Sequence, residues 1–245
     1  MHTNLESPII VALDTQDLAE AQNWINALRG EISYFKLGLE FYLKHGASGI
    51  DSLKRTTDFN LFLDLKLHDI PNTVSGAVQS IASLNPVFLT VHASGGREMI
   101  KAAVAESLRN QLMTQITAVT VLTSLSKEDT EELGWQQEIS NIAVNLAKIA
   151  QIAGAKAIVT SPKEVRKVRE ALGENINLIT PGVRLLDKNN SNINLVDDQK
   201  RVMEPKYAIN EGANFLVIGR PITEKAKISI SAMVDAAKEI NDSLV

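Results

Sequence analysis

Short apolar runs rich in Val, Ile, Leu and Phe recur along the whole chain and are separated by longer segments of mixed polarity. Each run is too short for a stable helix, and its nearly continuous apolar character is typical of a strand covered on both faces. The pattern therefore predicts strands at Pro8–Leu13, Tyr34–Leu39, Leu61–Leu67, Val87–His92, Ile116–Leu122, Ala157–Thr160, Leu178–Thr180 and Phe215–Ile218.

The segments between these strands place apolar residues three and four positions apart, which is the spacing of one helix face. From Asp17 to Leu28, for example, Leu18, Ala21 and Ile25 form such a stripe with Leu28. Strands that alternate with helices indicate βαβ units and a parallel sheet. We predict helices at Asp17–Leu28, Thr73–Leu84, Glu98–Leu108, Asn141–Ala153, Pro162–Leu172 and Ser229–Leu244, with weaker periodicity at Glu40–Leu53 and Pro205–Glu211.

The even spread of the predicted strands over 245 residues favours a closed barrel over a doubly wound open sheet. A (β/α)8 barrel has a typical length of roughly 250 residues. An open dinucleotide-binding sheet would carry glycines after its first strand, and the segment Leu13-Asp14-Thr15-Gln16 has none. We therefore predict an α/β protein with a single-domain (β/α)8 TIM barrel over residues 1–245.

Composition excludes several classes of protein. Hydrophobic residues make up 44% of the chain and charged residues 22%, an ordinary balance for a globular protein. Cysteine is absent, which excludes disulfides and thiolate metal sites. The net charge of -4 offers no basic surface for nucleic acid, and no apolar run approaches the ~18 residues of a membrane span. The first residues do not look like a signal peptide, so we expect a cytoplasmic protein without membrane or nucleic-acid partners.

Charged residues stand at the ends of strands that are otherwise apolar. Alternate residues of a strand face the same side, so Asp64 and Lys66 both point into the barrel if either does. Lys36 and Asp14, on the two preceding strands, could complete an alternating array of Lys and Asp. Such an array keeps each group ionised, because every charge has an opposite neighbour. Active sites of these barrels lie at the carboxyl ends of the strands, so the array is a candidate catalytic site.

A salt-bridge cluster that only closes the barrel mouth is the structural alternative, since ion-pair networks perturb titration without doing chemistry. A second signal bears on this choice. Gly182 and Arg184 follow the seventh strand, and Gly219 and Arg220 follow the eighth, where barrel enzymes often bind phosphate. Glycine allows backbone N–H groups to approach an anion closely, and arginine can donate two parallel hydrogen bonds to it. A structural cluster requires no anion site, so the catalytic interpretation is favoured.

His68 follows strand three and His92 ends strand four, close to Asp64 and Asp69, which raises the question of a metal site. The spacing has no HxH or HxxxH pattern, and the ammonium of Lys66 would repel a cation. We therefore interpret the histidines as hydrogen-bonded or structural residues and predict no metal.

The segment from Asp64 to Thr73, Asp-Leu-Lys-Leu-His-Asp-Ile-Pro-Asn-Thr, resembles the signature of the orotidine 5′-phosphate decarboxylase family. Shorter matches occur in family order across most of the chain. They are Ala12-Leu13-Asp14, Phe35-Lys36-Leu37-Gly38, Val91-His92-Ala93-Ser94-Gly95-Gly96, Leu122-Thr123-Ser124, Pro181-Gly182-Val183-Arg184, Asp198-Gln199-Lys200-Arg201-Val202-Met203 and Ile218-Gly219-Arg220-Pro221-Ile222.

The resemblance implies a cofactor-independent decarboxylation of orotidine 5′-monophosphate to uridine 5′-monophosphate, the last step of de novo pyrimidine synthesis. Lys66 would then protonate C6 of the pyrimidine and Asp64 would lie beside the departing carboxylate. Lys36 would contact Asp64 and the ribose, and Asp14 would bind the ribose hydroxyls. The family is homodimeric, and Asp69 would reach across the interface into the partner's site.

The resemblance also implies that Thr73 contributes from the partner side and that Thr123 lines the pyrimidine pocket. The phosphate would be held by Arg184, Gln199, Gly219 and Arg220. The Asn-rich stretch Leu185–Lys200 follows strand seven and is predicted to be a lid over the site.

Two alternatives remain open on the residues alone. One is a magnesium-dependent keto-sugar-phosphate decarboxylase or aldolase of the same barrel suite, which shares the Asp-x-Lys-x-x-Asp pattern and adds an acidic metal ligand. The other is a non-catalytic barrel that binds a phosphorylated nucleotide. Dependence on a divalent metal separates the first alternative, and binding without turnover separates the second.

Overall fold

The computed structural model describes residues 7–183 and 203–244. Within these ranges every strand pairs in parallel with the next one along the chain, and the last pairs with the first, which closes a barrel. The strands are β1 (Ile9–Ala12), β2 (Tyr34–Gly38), β3 (Asn60–Leu67), β4 (Phe88–His92), β5 (Gln115–Val119), β6 (Ala157–Val159), β7 (Asn177–Pro181) and β8 (Phe215–Ile218). The predicted TIM barrel and all of its strand positions are confirmed.

Helices follow the strands as the periodicity predicts, with boundaries shifted by a few residues. The helix over Leu39–Thr56 contains a kink at Gly46, whose φ of 61° a residue with a side chain rarely adopts. The described helices are α1 (Leu18–Leu28), α2 (Leu39–Thr56), α3 (Pro71–Ser80), α4 (Gly96–Arg109), α5 (Lys127–Glu132), α6 (Ile139–Ile152), α7 (Val165–Leu172), α8 (Pro205–Asn210), α9 (Arg220–Thr223) and α10 (Ile230–Asp242). No helix in these ranges is both long and apolar enough to cross a membrane.

The strands are covered by apolar residues on both faces, as their continuous apolar runs indicate. One set of strand residues packs outward against the helices and forms the larger core, with Phe35, Leu63 and Val91 among its buried members. The other set points into the barrel and forms a smaller, separate cluster. Its buried members are Ile10, Ala12, Phe62, Phe88, Ala157, Ile179 and Val217, and Tyr34, Val87, Val159 and Phe215 pack against them.

The inner cluster closes the barrel from below and sets the floor of the site. Phe88 is fully buried, and its ring lies 5.7 Å from that of Phe62 and 5.3 Å from that of Phe215, both edge-on. Filling the barrel with side chains in this way makes it a packed core and not a pore. Polar residues can therefore reach a cavity only at the carboxyl ends of the strands, above this floor.

Candidate active site

The charged side chains at the barrel mouth form a continuous chain of ion pairs. The ammonium Nζ of Lys36 lies 3.4 Å from Oδ1 of Asp14 and 3.5 Å from Oδ2 of Asp64. The ammonium of Lys66 donates to both oxygens of Asp64, at 2.8 Å and 2.9 Å. The structure thus brings Asp14, Lys36, Asp64 and Lys66 together in the alternating order that opposite charges favour.

Strand register explains why residues from three strands meet. Ala12 of β1 is level with Lys36 of β2, and Gly38 of β2 is level with Asp64 of β3. Asp14, Lys36 and Asp64 each stand two positions beyond an inward-facing residue of the inner cluster, so they face the barrel interior one layer higher. The side chains of Lys36 and Asp64 are only 13% and 12% exposed, so these two charges are largely removed from water.

Lys66 faces the cavity together with Asp64, and Leu65 and Leu67 pack against the outer core, as strand alternation predicts. The sequence did not predict the distortion of β3 at this point. The residues Leu63 and Leu67 lie level with Leu89 and Val91, so four steps along β3 span only two steps along β4. Within this bulge Lys66 has a φ of 48°, a left-handed conformation that is uncommon for a residue with a side chain. Bulges next to active sites re-aim side chains, and this bulge turns Lys66 back onto Asp64.

The ion pairs keep both buried members of the array charged. Burial alone would lower the pKa of Lys36, but the carboxylates of Asp64 and Asp14 outweigh it, and the pKa is raised above its ordinary value. Burial alone would raise the pKa of Asp64, but the charges of Lys36 and Lys66, with hydrogen bonds from Lys66 and Thr90, hold it below its ordinary value. Asp64 is therefore a carboxylate and Lys36 an ammonium at neutral pH.

A cavity of about 270 Å³ opens above the inner cluster and contains the array on one side. Thr123 lies in its wall at the end of β5, while Gly182, Gly219 and Arg220 lie after β7 and β8. The cavity is lined by Ala12, Asp14, Lys36, Phe62, Asp64, Lys66, Val119, Val121, Leu122, Thr123, Val159, Thr160, Ser161, Pro181, Gly182, Val183, Val217, Gly219, Arg220 and Pro221. Charged groups, apolar side chains and two glycines with an arginine are together the features that a phosphorylated aromatic ligand requires.

Two glycines shape the side of the cavity opposite Lys66. Gly182 has a φ of 78°, which favours glycine. At Gly219 an added Cβ would come within 3.4 Å of both Oδ2 of Asp14 and Cβ of Ala12. Gly219 therefore lies directly against Asp14 at the edge of the charged array.

Not all of the predicted site residues meet at the cavity of their own chain. Asp69 and Thr73 are exposed and are absent from the described lining of the cavity. The Asp69 carboxylate accepts a hydrogen bond from the backbone N–H of Ile70 at 2.6 Å, and no ion pair joins it to Lys66 among the described residues. Arg184, Gln199 and the predicted lid Leu185–Lys200 lie outside the described residues.

The two histidines lie beside the array and not in the cavity wall. The ring centroids of His68 and His92 are 5.2 Å apart. Burial, together with the nearby charges of His68 and Lys66, lowers the pKa of His92, so this ring is neutral at neutral pH. Among the described residues no three His, Asp or Glu side chains are arranged to hold a metal ion.

Sequence reasoning missed Thr90, which is fully buried inside β4 and donates a hydrogen bond to Oδ1 of Asp64 at 3.0 Å. It also missed Thr160 and Ser161, two buried polar residues that line the cavity. A signal for Thr90 was present, because a hydroxyl at an inward position of an apolar strand has to find a partner.

Comparison with known proteins gives one consistent result. A family model described as "Orotidine 5'-phosphate decarboxylase / HUMPS family" matches residues 7–232. The chain is 45% identical over 226 residues to orotidine 5′-phosphate decarboxylase of Wolbachia pipientis subsp. Culex pipiens (strain wPip), covering 92% of this chain and 96% of that protein. It is 43% identical over 234 residues to the protein of the same name from Thermobifida fusca (strain YX), covering 96% of each.

A solved structure shows the same architecture. The crystal structure of orotidine 5′-phosphate decarboxylase from Lactobacillus acidophilus matches with a TM-score of 0.82 and 31% sequence identity, and the match covers 98% of this chain and 99% of that chain. The similarity therefore extends over the whole barrel, including each strand that supplies a residue to the cavity.

Proposed function

The chain belongs to the orotidine 5′-phosphate decarboxylase / HUMPS family, and we propose that it is a carboxy-lyase that converts orotidine 5′-monophosphate to uridine 5′-monophosphate and carbon dioxide. The curated relatives that cover nearly all of the chain carry the decarboxylase name. The observation that supports this chemistry best is the pairing of Lys66 with both oxygens of Asp64 at the edge of the cavity.

Decarboxylation breaks the bond between C6 and the carboxyl carbon and leaves the electron pair on C6. Lys66, an ammonium held by Asp64, places a positive charge and a proton beside this carbon as negative charge develops there. The proton passes from Nζ to C6 as carbon dioxide leaves, and the neutral amine regains a proton from solvent. No step in this scheme requires an electron sink other than the protonated lysine.

Asp64 and Lys36 contribute to this step from the charged array next to Lys66. The carboxylate of Asp64 is confined by two ammonium groups, so it stays close to the position that the substrate carboxylate would occupy. Repulsion between the two carboxylates is relieved when one of them leaves as neutral carbon dioxide. Lys36 and Asp14 lie at the outer end of the array and are available to bind the ribose hydroxyls.

The opposite side of the cavity is suited to the phosphate. Gly182 and Gly219 add no side chain of their own to this wall, and Arg220 supplies the charge that a phosphate dianion requires. Binding energy gained at this remote group can be used to order the site around the pyrimidine, which raises kcat and not only affinity. Thr123, in the wall at the end of β5, is placed to line the pyrimidine pocket. We assign the same phosphate role to Arg184 and Gln199 from the family pattern alone.

We also propose a homodimer in which each active site is shared. Lys66 is 32% exposed and has a carboxylate on one side, while Asp69 and Thr73 face outward with the exposed apolar side chain of Ile70 between them. A second copy that covers this surface would bury Ile70 and bring Asp69 to the open side of Lys66.

Mixed dimers test this arrangement. Lys66→Ala and Asp69→Ala should each abolish turnover alone, and co-refolding the two variants should restore about a quarter of the parental sites, since half of the dimers then contain one intact site. Mixtures that remain as inactive as the separate variants would contradict the shared site, provided that dimers are seen by light scattering.

We further propose that the enzyme acts in the cytoplasm. A nucleotide that carries a phosphate dianion does not cross a bilayer unaided, so the enzyme that converts it is expected where it is made.

A spectrophotometric assay tests the function directly. Purified protein should consume orotidine 5′-monophosphate and form uridine 5′-monophosphate at a rate that a chelator such as EDTA does not change. Loss of turnover with chelator would favour a magnesium-dependent relative of the same barrel suite. Tight binding of uridine 5′-monophosphate without turnover of the substrate would favour a non-catalytic nucleotide-binding barrel.

A further inference from the structure

Thr90 connects the two residues at the centre of the site through a single hydroxyl. Its Oγ1 accepts a hydrogen bond from the backbone N–H of Lys66 at 2.8 Å and donates one to Oδ1 of Asp64 at 3.0 Å. A hydroxyl has one proton to donate, and its oxygen can accept. Because a backbone N–H can only donate and a carboxylate can only accept, the hydroxyl accepts from Lys66 and donates its proton to Asp64. The direction of both hydrogen bonds is therefore fixed by chemistry.

The first of these bonds supports the distorted backbone of β3. In the bulge opposite Leu89–Val91, the regular ladder between β3 and β4 is interrupted, and Lys66 adopts its left-handed conformation. Such conformations persist only where the surroundings hold them. The Thr90 hydroxyl takes the place of a ladder carbonyl as partner of the Lys66 N–H, so it satisfies the group that the bulge would otherwise leave unpaired.

The second bond fixes the carboxylate that holds the Lys66 side chain. Oδ1 of Asp64 accepts hydrogen bonds from Thr90 and Lys66. Oδ2 accepts one from Lys66 and lies 3.5 Å from Nζ of Lys36. With donors on both oxygens, the carboxylate has one preferred orientation. Thr90 thus acts on Lys66 twice, once through the backbone and once through the side chain of Asp64.

We propose that Thr90 is a positioning residue for the reaction, which sets the place of the Lys66 ammonium by holding both the bulge of β3 and the carboxylate of Asp64. The inference rests on the proposed decarboxylase function, because it is the proton donor whose position matters. Thr90 is not in the described cavity wall, so it acts through Lys66 and Asp64 and does not touch the substrate.

The structure provides a matched control on the neighbouring strand. Thr117 of β5 is level with Thr90 and is also fully buried. Its hydroxyl donates to the backbone carbonyl of Gln115 at 2.9 Å and makes no described contact with the charged array. Replacing either threonine with valine removes one hydroxyl from the same layer of the barrel and keeps the shape, but only Thr90→Val affects Lys66.

The test compares Thr90→Val, Thr90→Ser and Thr117→Val with the parent in steady-state turnover of orotidine 5′-monophosphate. A reactive group misplaced by about 1 Å can cost about a hundredfold in rate. We therefore expect kcat of Thr90→Val to fall roughly 30- to 100-fold, while KM changes less than about threefold, since no substrate contact is removed. Thr90→Ser keeps the hydroxyl and should retain kcat within about fivefold, and Thr117→Val within about threefold.

Rates are expressed per site that binds uridine 5′-monophosphate, so a loss of folded protein does not count as a loss of kcat. The positioning role would be overturned if Thr90→Val had the same kcat as Thr117→Val. It would also be overturned if Thr90→Ser lost as much kcat as Thr90→Val. If Thr90→Val does not fold, Thr90→Ala and Thr90→Ser provide the same comparison, and equal kcat values for the two would overturn it as well. A parent without turnover would instead refute the proposed function, and with it this role.

Discussion

The interior of this barrel contains two layers, built from the same strands on the same inward side, with opposite chemistry. In the lower layer Tyr34, Phe62 and Phe88 pack with other apolar residues and exclude water. Two positions further along the same strands, the upper layer has Lys36, Asp64 and Thr90. A step of two residues along a strand is only about 6.6 Å, so the change from apolar floor to charged site takes place within one side-chain layer.

The two layers contribute to different properties of the protein. Burial of aromatic rings in the lower layer is favourable by itself, and edge-on ring contacts add to it. Charges in the upper layer lose hydration and persist because each has an opposite partner. The lower layer should therefore dominate folding stability and the upper layer catalysis, and variants in each layer can test that division.

The largest effect is expected from Lys66→Ala. This change removes the proposed proton donor and its positive charge, so kcat should fall by at least about 10⁴-fold while the protein stays folded. Steady-state turnover and binding of uridine 5′-monophosphate are the measurements. Lys101→Ala, which removes an exposed lysine paired with Glu98 on α4, is the control and should keep parental activity. Turnover of Lys66→Ala within tenfold of the parent would remove Lys66 from its assigned role.

The opposite pattern is expected in the lower layer. Phe88 is fully buried and contacts the rings of Phe62, Tyr34 and Phe215, so Phe88→Ala should lower the free energy of unfolding by about 3–5 kcal/mol. The kcat of the molecules that remain folded should stay within about tenfold of the parent, because no charge is displaced. Urea unfolding and turnover per binding site measure the two quantities.

The surface variant Leu108→Ala is the control for this prediction. Leu108 is 71% exposed on α4, so its loss should change the free energy of unfolding by less than about 0.5 kcal/mol. A Phe88→Ala protein with parental stability would show that the aromatic layer is not what holds the barrel together.

The difference between the layers also decides what could be read from the sequence. The lower layer follows from apolar periodicity, and the ends of the strands were predicted to within three residues. Asp64 and Lys66 were identified because charges inside an apolar strand are conspicuous. Thr90 was not, because a threonine within a β-branched strand is also ordinary core.

Other features could not be predicted because they depend on register between strands. The bulge at Lys66 arises from the offset of β3 against β4, which no periodicity of β3 alone contains. The short helix α5, in contrast, has a visible signal, since Ser126 and Asp129 form a capping box at its start. The exposure of Asp69 fits the shared site that the resemblance implies, but one chain cannot supply the partner that would cover it.

A smaller effect on catalysis is expected at the far side of the upper layer. Arg220→Ala removes the charge that we propose binds the phosphate, so kcat/KM for orotidine 5′-monophosphate should fall by about 10²-fold. For orotidine, which lacks the phosphate, the same variant should match the parent. Arg55→Ala, at the carboxyl end of α2 on the opposite side of the barrel, should affect neither substrate. An equal loss with both substrates would show that Arg220 does not act on the phosphate.

The smallest effect concerns how the free energy of unfolding depends on pH. Variants in the two layers should differ in the slope of this dependence. Lys36 and Lys66 hold the pKa of Asp64 below its ordinary value of 3.8 in the folded protein, so the unfolded chain takes up the proton first as pH falls. The stability that this pKa difference contributes is fully present above the unfolded pKa and is lost as pH falls through the folded pKa.

Urea unfolding from about pH 6 downward tests this coupling. The free energy of unfolding of Asp64→Asn should decline less steeply with falling pH than that of the parent, because the other carboxylates are common to both. The free energy of unfolding of Phe88→Ala should be lower than that of the parent but should decline with the same slope as pH falls. Identical acid slopes for Asp64→Asn and the parent would mean that the charged layer does not couple protonation to folding.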